Sequence, residues 1–346
     1  ITVAYCDWTQ FPAYDDAMEL LQEFGISEAR GGTWGLTWQR KTRFYGCATM
    51  DYEDGMLLRM GTNWDVHHNY IHNVVDGLSS AGMNRSVGVR IHHNIFERVC
   101  DNAVETEQHA RDVHIYRNFF LDNLDTFSCQ VQGVPFPGPI YFYQNVLFNT
   151  REHAERWAYA NVVGSSAFKL GISLKTWAKG KNAAVSKTGL TAPEPGWLFF
   201  NNTVLFSDGQ IFNPLGNPKE PIANVLFANN LFVANHLAIA SNEKKGFQVI
   251  PQGRFRFDHN LVAPAGGGKT GPGSIAAGEG GQALTNVSAI GWTDPGKRDF
   301  ALQPSSPALG KSHEVKASPV KAFRDIGAIQ SGDTWFPPKV GPLAPE

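Results

Sequence analysis

IHHNIF, residues 91–96, is one of seven copies of a short pattern in which an asparagine stands between two apolar stretches. The others are VHHNYI at Asn69, IYRNFF at Asn118, FYQNVL at Asn145, FNNTVL at Asn202, ANNLFV at Asn230 and DHNLVA at Asn260. From Asn69 to Asn260 the intervals are 25, 24, 27, 57, 28 and 30 residues, so 57 is two periods or one period carrying an insertion. Repeats of this length indicate a solenoid. The flanking residues alternate with period two and lack helical periodicity, so each repeat is a turn of strands. Asparagine tolerates the left-handed backbone of a sharp bend, and its amide can bond the corner backbone. Coils stacked about 4.8 Å apart bring successive amides into a hydrogen-bonded ladder.

Composition agrees with one elongated domain. The chain has 346 residues, 35 glycines and 20 prolines spread over its length, and 42% hydrophobic residues, enough for a continuous core. A net charge of −2 argues against a nucleic-acid partner, which requires a basic face. No run approaches the roughly 18 apolar residues of a membrane helix. The opening ITVAYCDW lacks a signal-like basic and apolar region, which reads as a mature form or a removed start. Cys6, Cys47, Cys100 and Cys129 allow two disulfides in three connectivities, or free thiols, with Cys129 expected in the core.

Residues 1–57 fit the repeat poorly and read as an N-terminal cap or incomplete first coils, with an amphipathic helix expected over residues 14–24. Residues 58–346 read as the β-helix. Insertions at 150–197 and 264–281 form long loops; the second, glycine-rich, lacks the strand-to-helix context of a phosphate cradle. The closing DFALQPSSPALGKS (299–312) and FRDIGAIQ (323–330) are expected to pack Phe300, Leu302, Ile326 and Ala328 on the last coil.

Over residues 58–263 the chain resembles the right-handed parallel β-helix proteins of the pectate-lyase-like superfamily. The handedness follows from that resemblance and from the bias of parallel crossovers. The resemblance also implies export, hence a secreted or periplasmic protein acting on a polysaccharide.

Alignment on the asparagines superposes three strands, DNAVETE (101–107), DTFSCQVQ (125–132) and SSAFKLG (165–171). With Val104, Phe127 and Phe168 inward, strict alternation turns Glu105, Glu107, Ser128, Gln130, Gln132 and Lys169 outward on one face. Carboxylates at i, i+2 repel and need compensation by a cation, a base or water; the bland reading is a solvated face. Calcium, held by Glu105, Glu107 and Gln130, matches a hard-oxygen set. The Glu-x-Glu pair with a later basic residue resembles calcium-dependent polysaccharide lyases of the chondroitinase-B and alginate-lyase group. That resemblance implies metal ligation at Glu105 and Glu107, Lys169 as base at C5 of a uronate, and Arg156 as a binder of the acidic sugar. The family's basic residue follows the second glutamate more closely; here the nearest is Arg111.

A glycoside hydrolase would instead use Asp101 with Glu105 or Glu107 as acid and base. Trp157, Tyr159 and Trp177 are candidates to stack on sugar rings, in an enzyme or in a non-catalytic glycan-binding β-helix. Histidines crowd the first coils; His67, His68, His92 and His93 form a patch suited to zinc or copper, or simply repeat with the coil. His109, just after Glu107, is the candidate proton shuttle.

Overall fold

The computed structural model describes residues 1–9, 57–58, 60–74, 76–79, 86–99, 102–106, 110–131, 137–150, 166–172, 190–191, 194–215, 222–236, 255–265 and 277–333. They form a parallel β-helix solenoid. A first sheet stacks eight strands in the order Thr2–Ala4, Asp65–His67, Arg90–His92, Val113–Tyr116, Ile140–Tyr143, Trp197–Phe200, Val225–Ala228 and Phe255–Asp258. A second, larger sheet folds over so that it supplies two further walls. One wall contains Tyr70–Val74, Ile95–Val99, Phe119–Leu121, Val146–Asn149 and Leu231–His236. The other contains Leu78–Ser79, Asn102–Glu105, Asp125–Val131 and Ser166–Ile172, and the long strand Thr203–Leu215 joins both. Among the described residues no helix is long and apolar enough to cross a membrane.

Every ladder asparagine is fully buried. Asn94 Nδ2 donates to Asn118 Oδ1 at 3.0 Å, and Asn118 Nδ2 donates to Asn145 Oδ1 at 3.0 Å. The backbone N–H groups of Asn94 and Asn118 donate to the same oxygens, and each Nδ2 also reaches a strand carbonyl, as Asn118 does at Ile91 O, 2.9 Å away. The amide is therefore saturated, as a buried polar group must be. The left-handed residue at the corner is not the asparagine but its predecessor: His68, His93, Arg117, Gln144, Asn201, Asn229 and His259 have φ between 48° and 56°. The bend happens one residue early, which frees the asparagine side chain to point into the ladder.

The 57-residue interval is a single coil with an insertion, since Ile140 pairs with Trp197 and Asn145 Nδ2 bonds Asn202 Oδ1 at 3.2 Å. Residues 1–9 already form a coil: Thr2–Ala4 pairs with Asp65–His67, Asp7–Thr9 pairs with Tyr70–His72, and Cys6 N–H donates to Asn69 Oδ1 at 3.0 Å. Repeat architecture thus includes these nine residues of the region read as a cap or as incomplete first coils; the helix expected over 14–24 lies outside the described residues. Cys6 is exposed and Cys129 is buried, its Sγ 2.9 Å from Thr106 O, while Cys47 and Cys100 lie outside the described residues.

The closing segment does more than cover the last coil. Ile290, Trp292, Phe300, Ala308, Ile326, Ala328 and Ile329 form one buried cluster with Ile95, Phe119, Leu121, Val146, Leu231 and Val233. It runs back along the outer side of the wall to Arg117, whose Nη2 lies 3.5 Å from Asp333 Oδ2. The physical reason is in the strands: Phe119–Leu121 is apolar at every position, so both faces require cover.

At the corner beyond that wall, the Asp122 carboxylate accepts Thr150 N–H at 2.6 Å and the Thr150 hydroxyl at 3.1 Å. Burial pushes its pKa from 3.8 to about 6, against those two hydrogen bonds. The folded chain therefore holds a proton that the unfolded chain has released. That contribution is fully present below about 3.8 and is lost as pH rises through about 6. Asp122→Asn stays neutral, so its denaturation midpoint should fall less than that of the wild type between about pH 5 and pH 7.5. Equal pH slopes in the two proteins would overturn this account.

Candidate functional site

The outer side of Asn102–Glu105, Asp125–Val131 and Ser166–Ile172 gathers a polar cluster around Glu105 and Lys169. Strand pairing aligns Glu105 with Ser128 and Ser128 with Lys169; three residues earlier, Asn102 aligns with Asp125 and Asp125 with Ser166. Strict alternation would put these rows on opposite faces. Ala103 and Ala167, however, join Val104 and Phe168 in the core. With two consecutive residues inward, side chains three apart meet outside: Asn102 Nδ2 donates to Glu105 Oε1 at 2.8 Å.

Asn102 is the hub. Its Oδ1 accepts Lys169 Nζ at 3.1 Å, and its Nδ2 and backbone N–H approach Asp76 Oδ1 at 3.3 and 2.9 Å. Lys169 Nζ also lies 3.6 Å from Asp125 Oδ2, and the Ser166 hydroxyl donates to Asp125 Oδ1. The Lys169 and Asp125 side chains are only 14% and 10% exposed. Such a sheltered cation and carboxylate interact more strongly than a surface pair. Between Glu105 and Lys169, Ser128 is buried rather than exposed, and among the described residues its Oγ has no hydrogen-bond partner.

Gly77 allows this approach. A Cβ there would stand 2.3 Å from Ala103 O and 3.1 Å from Phe96 Cδ1, both in the neighbouring coil. Gly77→Ala must push that coil away, at a cost of about 1–3 kcal/mol. Chemical denaturation should show the loss, and a variant of unchanged stability would refute the contact.

The structure thus brings Glu105 and Lys169 together through one amide. Sequence reading missed Asn102, Asp76, Asp125 and Ser166, because it assumed unbroken alternation. Glu107, His109, Asp101, Gln132, Arg156, Trp157, Tyr159 and Trp177 lie outside the described residues, as does the Gln130 side chain. Of the calcium ligands, Glu105 alone has a described side chain. Its oxygens, with those of Asp76 and Asp125, are of the hard type calcium takes. Among the described residues, no group of three or more His, Cys, Asp or Glu side chains is arranged to hold a metal.

A second polar array lies at the first-sheet corner. His67 stacks on His92 and His68 on His93, both at 5.1 Å between centroids, and Tyr116 continues below His92 at 4.8 Å. Within each coil the rings stand nearly perpendicular, with Nδ1 atoms 2.8 Å apart in His67–His68 and 2.7 Å apart in His92–His93. Burial, then the neighbouring His92, holds the His93 pKa down to about 3; burial lowers those of His68 and His92 as well. The His93 ring is neutral near pH 7.

No family model matches the chain, and no curated protein matches it.

Proposed function

We propose that the protein is an exported enzyme of the pectate-lyase-like superfamily that cleaves a uronate-containing polysaccharide by β-elimination on the outer side of these three strands. The observation that carries the reading is the Lys169 amine held between Asn102 Oδ1 and Asp125 Oδ2 on the same wall as Glu105. Elimination needs a base poised at C5 beside groups that manage the acidic sugar's charge. In its neutral form Lys169 Nζ takes the C5 proton. The electron pair left behind forms the C4–C5 double bond, and the C4–O bond breaks toward the departing chain.

Asn102 orients the amine, and Asp125 stands where it can share the proton the amine carries between turnovers. His109 would protonate the leaving oxygen, and Arg156 would bind the substrate carboxylate. Trp157, Tyr159 and Trp177 would stack on neighbouring rings, with Gln130 and Gln132 bonding sugar hydroxyls. Calcium at Glu105, Glu107 and Gln130 would neutralise the uronate carboxylate.

A second reading has its own observation: Asp76 and Glu105 both bind Asn102, and Asp125 binds Lys169, so several carboxylates share this wall. A glycoside hydrolase needs such a pair with unequal proton affinities, Asp101 and Glu107 included. The deciding experiment presents a panel of uronate polysaccharides, with and without a calcium chelator, and follows the ultraviolet absorbance of the unsaturated product. Rising absorbance lost on chelation supports eliminative cleavage with metal help. New reducing ends without that absorbance indicate hydrolysis. Binding with neither signal indicates a non-catalytic glycan binder.

A further inference from the structure

The left-handed corner residues do more than turn the coils: in the later coils they hold the closing segment. Asn229 Nδ2 donates to His313 O at 2.7 Å, and its Oδ1 accepts the His313 N–H at 2.9 Å. One coil nearer the start, Asn201 Nδ2 donates to Asp325 O at 2.8 Å. At the next coil Gln144 Nε2 donates to Ala328 O at 3.4 Å, and at the one after it Arg117 Nη2 meets Asp333 Oδ2. Backbone accounting explains the pattern. After Asp299–Leu302 the described chain forms no further strand or helix, so its N–H and C=O groups must find partners elsewhere, and the corner side chains supply them.

The segment therefore climbs the corner column coil by coil, one step from Asp325 to Ala328 and another from Ala328 to Asp333. The column continues past Arg117. His93, His68 and Tyr5 occupy the same corner in the three coils before it, with φ of 55°, 55° and 59°. His93 N–H donates to Arg117 O and Tyr5 N–H to His68 O, both at 3.1 Å, while His68 stacks on His93 at 5.1 Å and Tyr5 on His68 at 5.3 Å.

We propose that the corner made by His93, His68 and Tyr5 is a docking track for residues 334–346 of this chain, TWFPPKVGPLAPE. The first argument is reach. Asp333 sits at the coil beside His93, and at the pace of the two preceding steps residues 334–346 cover three more coils, each about 4.8 Å further on.

The second argument is chemistry. Beside the corner runs a stack of rings in which Phe200, Tyr143, Tyr116, His92 and His67 follow one another at 5.0, 5.1, 4.8 and 5.1 Å. The closing segment already seats Phe323 against Phe200 and Tyr143, with both centroid distances 6.2 Å. Trp335 and Phe336 follow Asp333 closely enough to serve Tyr116, His92 and His67 in the same way. Pro337, Pro338, Pro342 and Pro345 favour an extended backbone that lacks their N–H donors, the form in which proline-rich segments dock on aromatic surfaces. Docked so, the closing segment straps the last coil to the first.

A benzophenone side chain in place of His68 in the full chain tests the track by photo-crosslinking and peptide mapping. A crosslink to residues 334–346 of the same chain is expected. A crosslink to any other segment, or to a second copy, would overturn the proposal. If that variant does not fold or gives no crosslink, diethylpyrocarbonate labelling of the wild type and of Trp335→Ser with Phe336→Ser decides. His68 and His93 should label at least about threefold faster in the double variant, as loss of stacked aromatic contacts implies, and His72 on another wall at the same rate. Equal rates at His68 and His93 in the two proteins would overturn it.

Discussion

Asn118→Ala is expected to unfold the protein or come close to it. The amide receives the Asn94 backbone N–H and Asn94 Nδ2, both at 3.0 Å, and gives its own hydrogens to Ile91 O and Asn145 Oδ1. Alanine removes all four interactions and leaves two buried Asn94 donors without an acceptor. Each orphaned buried group costs about 1–3 kcal/mol. Together they take a large share of a total stability that is typically about 5–15 kcal/mol. Solenoid stability is carried by contacts between neighbouring coils, so a central rung matters more than a terminal one. Asn69→Ala should therefore cost less, because its bonds toward the first coil, to Val3 O and from Cys6 N–H, lie in only partly buried surroundings at the end of the ladder. Denaturant unfolding of both variants tests this; a loss below about 1 kcal/mol for Asn118→Ala would mean the ladder is not the source of stability.

Lys169→Ala carries the largest effect expected on the proposed eliminative activity. Removing a general base commonly lowers turnover by about 10²–10⁴-fold. It also leaves the sheltered Asp125 carboxylate without its cation, so folding must be measured alongside. Asn102→Ala separates the roles. It deletes the hub that orients Lys169 and fixes Glu105 while keeping the base, so turnover should fall by about tenfold or more with the pH profile still governed by Lys169. Eliminative turnover by Lys169→Ala at the wild-type rate would exclude the residue as the base.

Particular residues show where sequence was sufficient and where it was not. The spacing from Asn69 to Asn260 predicted a solenoid with a buried amide ladder, and the structure has both. Alternation around Val104, Phe127 and Phe168 correctly placed Glu105 and Lys169 outside the core. Asn102, Asp125 and Ser166 escaped because Ala103 and Ala167 follow them inward and shift the outer face to a spacing of three. Small residues at aligned positions in two of the three coils were the available signal.

The closing segment shows the same limit. Its apolar residues identified it as packing against the coils, but its path along the wall depended on which strands lacked a polar face, as Phe119–Leu121 does. Likewise, the HHN pattern named the corner without revealing that the second histidine, and not the asparagine, turns it.

The sequence by itself determined the parallel coil, its period and its inward-facing residues, because stacking demands the same chemistry at the same place in every turn. Only the tertiary structure decided which outward side chains meet. Those meetings join residues from different coils, such as Asn102 with Lys169, 67 positions apart. They depend on local departures from alternation that a repeat pattern averages away.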